Sequence, residues 1–315
     1  TSKSLFIICI YDNNQLIALM PLVIQSIDKK IVKYNELLFM ADADYKNVLI
    51  KIGSNYSKIF SMLFEVIEEN YEKWDKLNFS HVSSECEMFK YILRSPKYNK
   101  YFKQYVECPI INVKKYKDYN EYKSKFKNSH VNKYRNKLLR EVGYEFITVK
   151  GDNMLSEIID VHIKEQNYLN RISNSNSRYS IFSDEKNVNF IKNLYKNYKQ
   201  VITFVIKNKE NNIIGYSTAY NYNRVLHFWN VGVNHEYEKY SIGRVLKLEI
   251  LQYIFENKIC DIVDFGCGGY HWKFEWTNEF ISDYRLEIWS KNSRTKTLRF
   301  MFKLIDIRRI IKCKA

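Results

Sequence analysis

Residues 5–11 form an apolar run rich in Ile, residues 12–14 read Asp-Asn-Asn, and residues 16–24 resume the apolar stretch. Turn chemistry between two β-prone runs predicts a hairpin. A further strand is expected over 33–40, followed by a polar loop over 41–46. Residues 56–74 then place Ile59, Phe60, Leu63, Phe64, Ile67, Tyr71 and Trp74 at steps that fit an amphipathic helix. Residues 76–82 close the segment as a strand. The same order recurs later. Strands are expected over 201–206, 213–222 and Val225–Val233, with a polar turn at 207–212. A helix over 241–257 carries Leu246, Ile250, Leu251, Ile254 and Phe255 on one stripe, and 261–265 is a further strand. Two hairpins that each feed a long helix and a strand predict two similar α/β units.

Between the units, residues 118–140 hold Lys123, Lys125, Lys127, Lys133, Arg135, Lys137 and Arg140, and Gly143 suits a helix end. This helix is either a solvated surface or an anion-binding face. Residues 155–167 and 185–198 read as two more helices, with a Ser/Asn-rich loop over 173–180. The last stretch, 297–314, alternates basic and apolar residues. It reads as an end that docks its apolar stripe on the body, or one that lies on an anionic membrane.

Composition narrows the class. The chain has 315 residues, 46% of them hydrophobic, which excludes a disordered tail. No apolar run approaches the ~18 residues of a membrane-spanning helix. Lys plus Arg is 50 against 35 for Asp plus Glu, a formal charge of 50 − 35 = +15. That balance fits a phosphate-bearing partner or anionic surface. It equally fits the codon bias of an AT-rich genome, since 38 of the 50 basic residues are Lys. The six cysteines are scattered without metal-ligand spacing, so the expectation is free thiols, a cytoplasmic location and no metal. The chain opens on Thr without a signal-peptide pattern, and upstream native residues are expected to be missing.

Candidate chemistry gathers in residues 234–276. Ser241 stands where the second long helix begins, with Gly243 and Arg244 just inside it. A capping serine, an open backbone and a permanent cation at a positive dipole end make a pyrophosphate cradle. Downstream, Asp264 and Phe265 precede a loop with Gly266, Gly268 and Gly269, then Tyr270, His271, Trp272, Lys273, Glu275 and Trp276.

These residues resemble the tandem acyltransferases of the GNAT superfamily, in the cellulose-biosynthesis (CelD/BcsL-like) branch related to the Fem peptidyltransferases. That branch reads Asp-Phe, two variable residues, Gly, three variable residues, Tyr-Lys, two variable residues, Trp. Asp264, Phe265, Gly268, Lys273 and Trp276 match it, and Trp272 stands in the Tyr place. Ser241-Ile242-Gly243 resembles the family's Ser-Pro-Gly, Met20-Pro21-Leu22 its Pro-Leu after the first hairpin, and Asp44-Tyr45 its Asp-Tyr.

The resemblance implies an α/β fold of two tandem GNAT-like units, mixed β-sheets flanked by helices, packed around a shared cleft. The expected division is 1–115, 116–200 as a helical connector of the second unit, and 201–315 with the acyl-CoA site. The first unit is expected to be degenerate. Acetyl-CoA or another acyl-CoA is the implied donor, with pantetheine beside Val231 and Val233 and pyrophosphate at Ser241, Ile242, Gly243 and Arg244. Lys273, Asp264 and His227 are the implied catalytic residues; a base must relieve the attacking amine of its proton, Asp264, Glu275 and His227 stay open for that role, and His162 on the intervening helix faces the cleft or is packed. His162, Gly268, Tyr270, Trp272 and Trp276 are those expected on the acceptor, a sugar or surface-polysaccharide precursor. A Fem-like transferase drawing on charged tRNA through the basic helix, and an inactive binding module, are the alternatives.

Overall fold

The computed structural model describes residues 2–29, 32–40, 43–126, 129–151, 155–174 and 176–302. Two compact units emerge, one of residues 1–107 with 281–315 and one of residues 108–280.

In the first unit β1 (Lys3–Asp12) and β2 (Gln15–Asp28) make the expected antiparallel hairpin. Asn13 and Asn14 sit at φ 46° and 63°, the left-handed pair that a tight hairpin turn requires. β2 also pairs with β3 (Lys33–Phe39) and the two-residue β4 (Leu49–Ile50). α1 (Tyr56–Glu69) starts at Asn55, whose side chain accepts from Lys58 N at 3.0 Å, and it buries Ile59, Phe60, Leu63, Phe64 and Ile67. The helix stops short of residue 74. Asn70 folds its side chain onto Val66 O at 2.8 Å, and Trp74 meets the helix end through Nε1 to Ile67 O at 3.1 Å. β5 (Lys76–Ser83) runs parallel to β3. α2 (Glu87–Arg94) and β6 (Phe102–Asn112) follow, neither of which the apolar pattern predicts.

In the second unit the expected basic helix is two helices, α3 (Tyr119–Lys125) and α4 (Ser129–Glu141). α3 ends because Phe126 turns extended, at φ −108° and ψ 100°. Lys127 lies outside the described residues. Gly143, at φ 71°, ends α4 with its N–H on Leu138 O at 3.0 Å. β7 (Tyr144–Lys150), α5 (Leu155–Ile172), α6 (Glu185–Asn197), β8 (Val201–Asn208), β9 (Ile213–Tyr222) and β10 (Val225–Val233) come next. They lead to α7 (Ile242–Asn257), β11 (Ile262–Asp264) and the four-residue α8 (His271–Phe274). β7 to β10 pair in sequence as an antiparallel meander, β11 joins β10 in parallel, and residues 110–112 of β6 join β11. α7 covers one face, packing with Phe204, Ile214 and Leu226. Tyr195 of α6 and Leu155 and Ile158 of α5 cover the other, with Val205 and Tyr216.

β12 (Glu279–Trp289) returns to the first unit and pairs antiparallel with β5. Leu286 is fully buried there, with Tyr284 and Ile288 against the same core. The chain therefore divides differently from the expected boundaries at 115 and 201, since residues 281–302 pack with the first unit. Their apolar side chains explain it: Leu298 is 5% exposed beside Val32 and Tyr34, and Phe302 stacks edge-on with Tyr34. The rest of the terminal stretch, 303–315, lies outside the described residues. Among the described residues no helix is long and apolar enough to cross a membrane.

Candidate active site

β10 and β11 start side by side and then part. Only Val225, Leu226 and His227 pair with Ile262, Val263 and Asp264. Beyond that point β10 runs six residues further, while the other chain leaves the sheet. Phe265 N donates instead to Pro109 O at 3.0 Å, and Gly266 and Gly268 at φ 73° and 102° turn the backbone as only glycine does without strain. Beyond His227, β10 and the chain after β11 diverge, and the space between their paths is a wedge with its vertex at His227 and Asp264. A register shift between Phe228 and Asn230 marks a β-bulge at Trp229, next to the vertex.

At the vertex stand two residues singled out in the sequence. His227 Nδ1 lies 2.9 Å from Asp264 Oδ2, and Asp264 Oδ1 accepts from Gly266 N at 2.8 Å. Asp264 is 3% exposed while the His227 ring is one-third exposed. The buried Asp264 carboxyl, fixed by a backbone N–H, meets the ring at Nδ1 and sets its orientation. That is the arrangement of an oriented general base. Asp264 lies buried behind the His227 ring, where it can orient that ring.

Lys273 does not stand ready for a developing oxyanion. It is 4% exposed, and Nζ donates to Gly266 O at 2.7 Å and Cys267 O at 2.8 Å. Its charge satisfies two carbonyls that the glycine turns strand away from the sheet, so it staples the loop. The same loop brings Cys267 Sγ to 3.2 Å from Cys108 Sγ, although the cysteines looked scattered along the chain.

The structure adds a residue the sequence did not flag. Lys247 on α7 is 9% exposed, with Nζ 3.3 Å from the Phe228 ring centroid and 5.0 Å from that of Phe265. Among the described residues it forms no hydrogen bond or ion pair. Burial, with the nearby Lys273 charge, pushes its pKa down to about 7. Leu246, Ile250 and Ile254 gave α7 its apolar stripe; Lys247 sits beside that stripe, where a lysine reads as solvent-facing until the strands above it are known.

The expected diphosphate cradle is present only in part. Ser241 takes a left-handed conformation, φ 49° and ψ 52°, and its side chain caps nothing. Ile242 is 3% exposed, its Cγ2 against Gly215, so its side chain is core rather than ligand surface. Gly243 is exposed, and the nearest atom to a Cβ there is Val233 Cγ1 at 3.9 Å. Arg244 is not a waiting cation: Nη2 and Nε hold Glu275 Oε1 and Oε2 at 2.7 and 2.9 Å. The guanidinium keeps the Glu275 carboxyl below its usual pKa. Along β10, Val231 is 50% exposed, whereas Val233 is half-buried.

Of the residues expected on the acceptor, Tyr270 and Trp272 are 62% and 45% exposed, beside Gly268. Trp276 is instead 2% exposed, and its carbonyl accepts from Tyr122 OH at 2.7 Å. It is a core side chain, as an indole ending an apolar segment commonly is. His162 is also packed: 6% exposed, Nδ1 2.7 Å from Ser180 Oγ, edge-on to Phe182, with its pKa lowered by burial.

Residues 124–274 match the family model of the acetyltransferase (GNAT) domain. The match spans His227, Asp264 and Lys273 and does not single out the cellulose-biosynthesis branch. No curated protein matches the chain in sequence. Among solved structures it is similar to L-PGS from Bacillus licheniformis, with 12% identity, a TM-score of 0.55, and 88% of this chain and 82% of that one covered. It is similar to FemX, with 10% identity, a TM-score of 0.56, and 90% and 88% covered. A conserved protein of unknown function from Bacteroides thetaiotaomicron aligns at 9% identity and a TM-score of 0.55, over 86% of each chain. The architecture is thus the tandem GNAT fold that L-PGS and FemX share, with mixed α/β units.

Proposed function

We propose that this protein transfers an acyl group directly from an activated carrier to an amine or hydroxyl, with His227 as general base. The observation that carries this reading is the His227–Asp264 pair at the vertex where β10 and β11 part. An acyl carbonyl lying in that wedge meets the bulge at Trp229, whose backbone is released from the regular ladder and supports an oxyanion. The nucleophile gives its proton to His227 Nε2 as it attacks the carbonyl carbon, and the carrier leaves with the electrons of the broken bond.

The donor we assign is an acyl-CoA, with its diphosphate on the backbone of residues 241–243 at the amino end of α7. The matched acetyltransferase domain and the open surface at Gly243 support this. The acceptor we assign is a sugar of a surface-polysaccharide precursor, since the exposed rings of Tyr270 and Trp272 offer flat apolar faces. A second reading has one observation in its favour: Arg244 is neutralised by Glu275, as a diphosphate cradle would not need. In that reading the acyl group arrives as an aminoacyl ester of tRNA, as in the Fem-like alternative. Titrating CoA and bulk tRNA at two salt concentrations decides between them. Saturable CoA binding with a shallow salt dependence supports the first, and tRNA binding that falls steeply with salt supports the second. Binding of neither, with no turnover of any acyl donor, removes the transferase reading.

A further inference from the structure

The loop that follows β11 is held against β6 by Phe265 N, which donates to Pro109 O at 3.0 Å. That contact seats Cys267 beside Cys108, Sγ to Sγ 3.2 Å, although 159 residues separate them in the chain. Neither thiol is in a disulfide. The two differ in exposure. Cys108 is fully buried in β6, whereas Cys267 is partly exposed and is followed by the exposed Gly269 and Tyr270. A disulfide holds its sulfurs about 2.0 Å apart, so closure asks for an approach of about 1 Å. Gly266 and Gly268 flank Cys267 at φ 73° and 102°, so the backbone on either side can turn to allow that shift.

We propose that Cys108 and Cys267 form a reversible disulfide that fixes the loop after β11 to β6, with a peroxide as the oxidant. Cys267, the accessible member, attacks a peroxide oxygen as its thiolate. The O–O bond breaks, one water leaves, and Cys267 becomes a sulfenic acid. Cys108 then attacks the Cys267 sulfur, the S–O bond breaks, and the oxygen leaves as a second water. Two thiols and one hydrogen peroxide thus give one disulfide and two waters, and a small dithiol reverses the bond by exchange. The loop concerned is the one whose Gly266 N–H holds Asp264 and whose Gly266 and Cys267 carbonyls hold Lys273. Drawing Cys267 toward β6 therefore acts on the turn that supports the vertex pair. The device does not depend on the donor or the acceptor, and it stands whether or not the transfer reading does.

The test treats the full, folded chain with hydrogen peroxide, blocks the remaining thiols and maps its peptides by mass spectrometry with and without dithiothreitol. One intramolecular Cys108–Cys267 link is expected, removed by dithiothreitol, with slower amide exchange over residues 266–270 while it is in place. Cys108→Ser takes away the resolving thiol and is expected to leave Cys267 as a sulfenic acid that dimedone labels. Should that variant not fold, the peptide map and the exchange of the natural chain decide. No link, pairings drawn from all the cysteines, or a link that leaves the exchange of residues 266–270 unchanged overturns the proposal.

Discussion

Arg244 grips both carboxylate oxygens of Glu275 across the first turn of α7, through Nη2 at 2.7 Å and Nε at 2.9 Å. The pair occupies the charge that a diphosphate at this helix end would use. Replacing Glu275 with Gln frees the guanidinium and removes a negative charge from the same spot. The expected outcome is several-fold tighter binding of CoA by calorimetry, lost again in Glu275→Gln with Arg244→Ala. Unchanged CoA affinity in Glu275→Gln would take Arg244 out of the donor site.

The vertex pair carries the second prediction. His227→Ala removes the base and is expected to lower kcat by about 10²–10⁴-fold with little change in KM. Asp264→Asn keeps the volume but no longer selects the Nδ1–H tautomer, so it should lower kcat in the same direction, with a changed pH profile. Steady-state rates with an acyl-CoA or an aminoacyl donor measure this. Full activity in His227→Ala would leave proton transfer to water.

Much of this site was legible because it follows from local chemistry. The meander of β8 to β10 and the start of α7 fall where alternation and the helical stripe put them, and Asp264, Gly268 and Lys273 fall at the end of β11, on the loop after it and in α8. Roles were harder to read, because each depends on a partner distant in the chain. Lys273 resembled a free cation until Gly266 and Cys267 turned their carbonyls onto it. Arg244 resembled one until Glu275, thirty-one residues on, came within reach. Cys108 and Cys267 lie 159 residues apart, so no spacing could join them. β12 carried no predicted strand although residues 283–288 alternate polar and apolar, and its pairing with β5, about two hundred residues away in the chain, is what shows it.

If Lys273 is a staple, its loss should show in stability before chemistry. Lys273→Met keeps the aliphatic stem and strands two carbonyls. Each hydrogen bond from a charged donor is worth about 1.5–3 kcal/mol. A lower melting temperature is expected, with faster amide exchange in residues 266–270. An unchanged melting temperature together with a thousandfold loss of kcat would instead return Lys273 to the reaction centre.

Lys247 makes the pH dependence of stability readable. Its pKa falls from 10.5 in the unfolded reference to about 7 in the folded chain, chiefly through burial and secondarily through Lys273. Between those values the unfolded chain holds a proton that the folded chain has lost, so this group makes stability rise with pH from about 7 to 10.5. Below 7 both states are protonated and the full penalty of a buried ammonium applies, of order 5 kcal/mol. Lys247→Met removes the ammonium and keeps the stem over Phe228. Urea unfolding of the two proteins across pH 6.5–10.5 should show the variant more stable at the acid end, with the difference shrinking as pH rises. A constant difference would mean that Lys247 keeps its charge in the folded protein, held by a group outside the contacts described above.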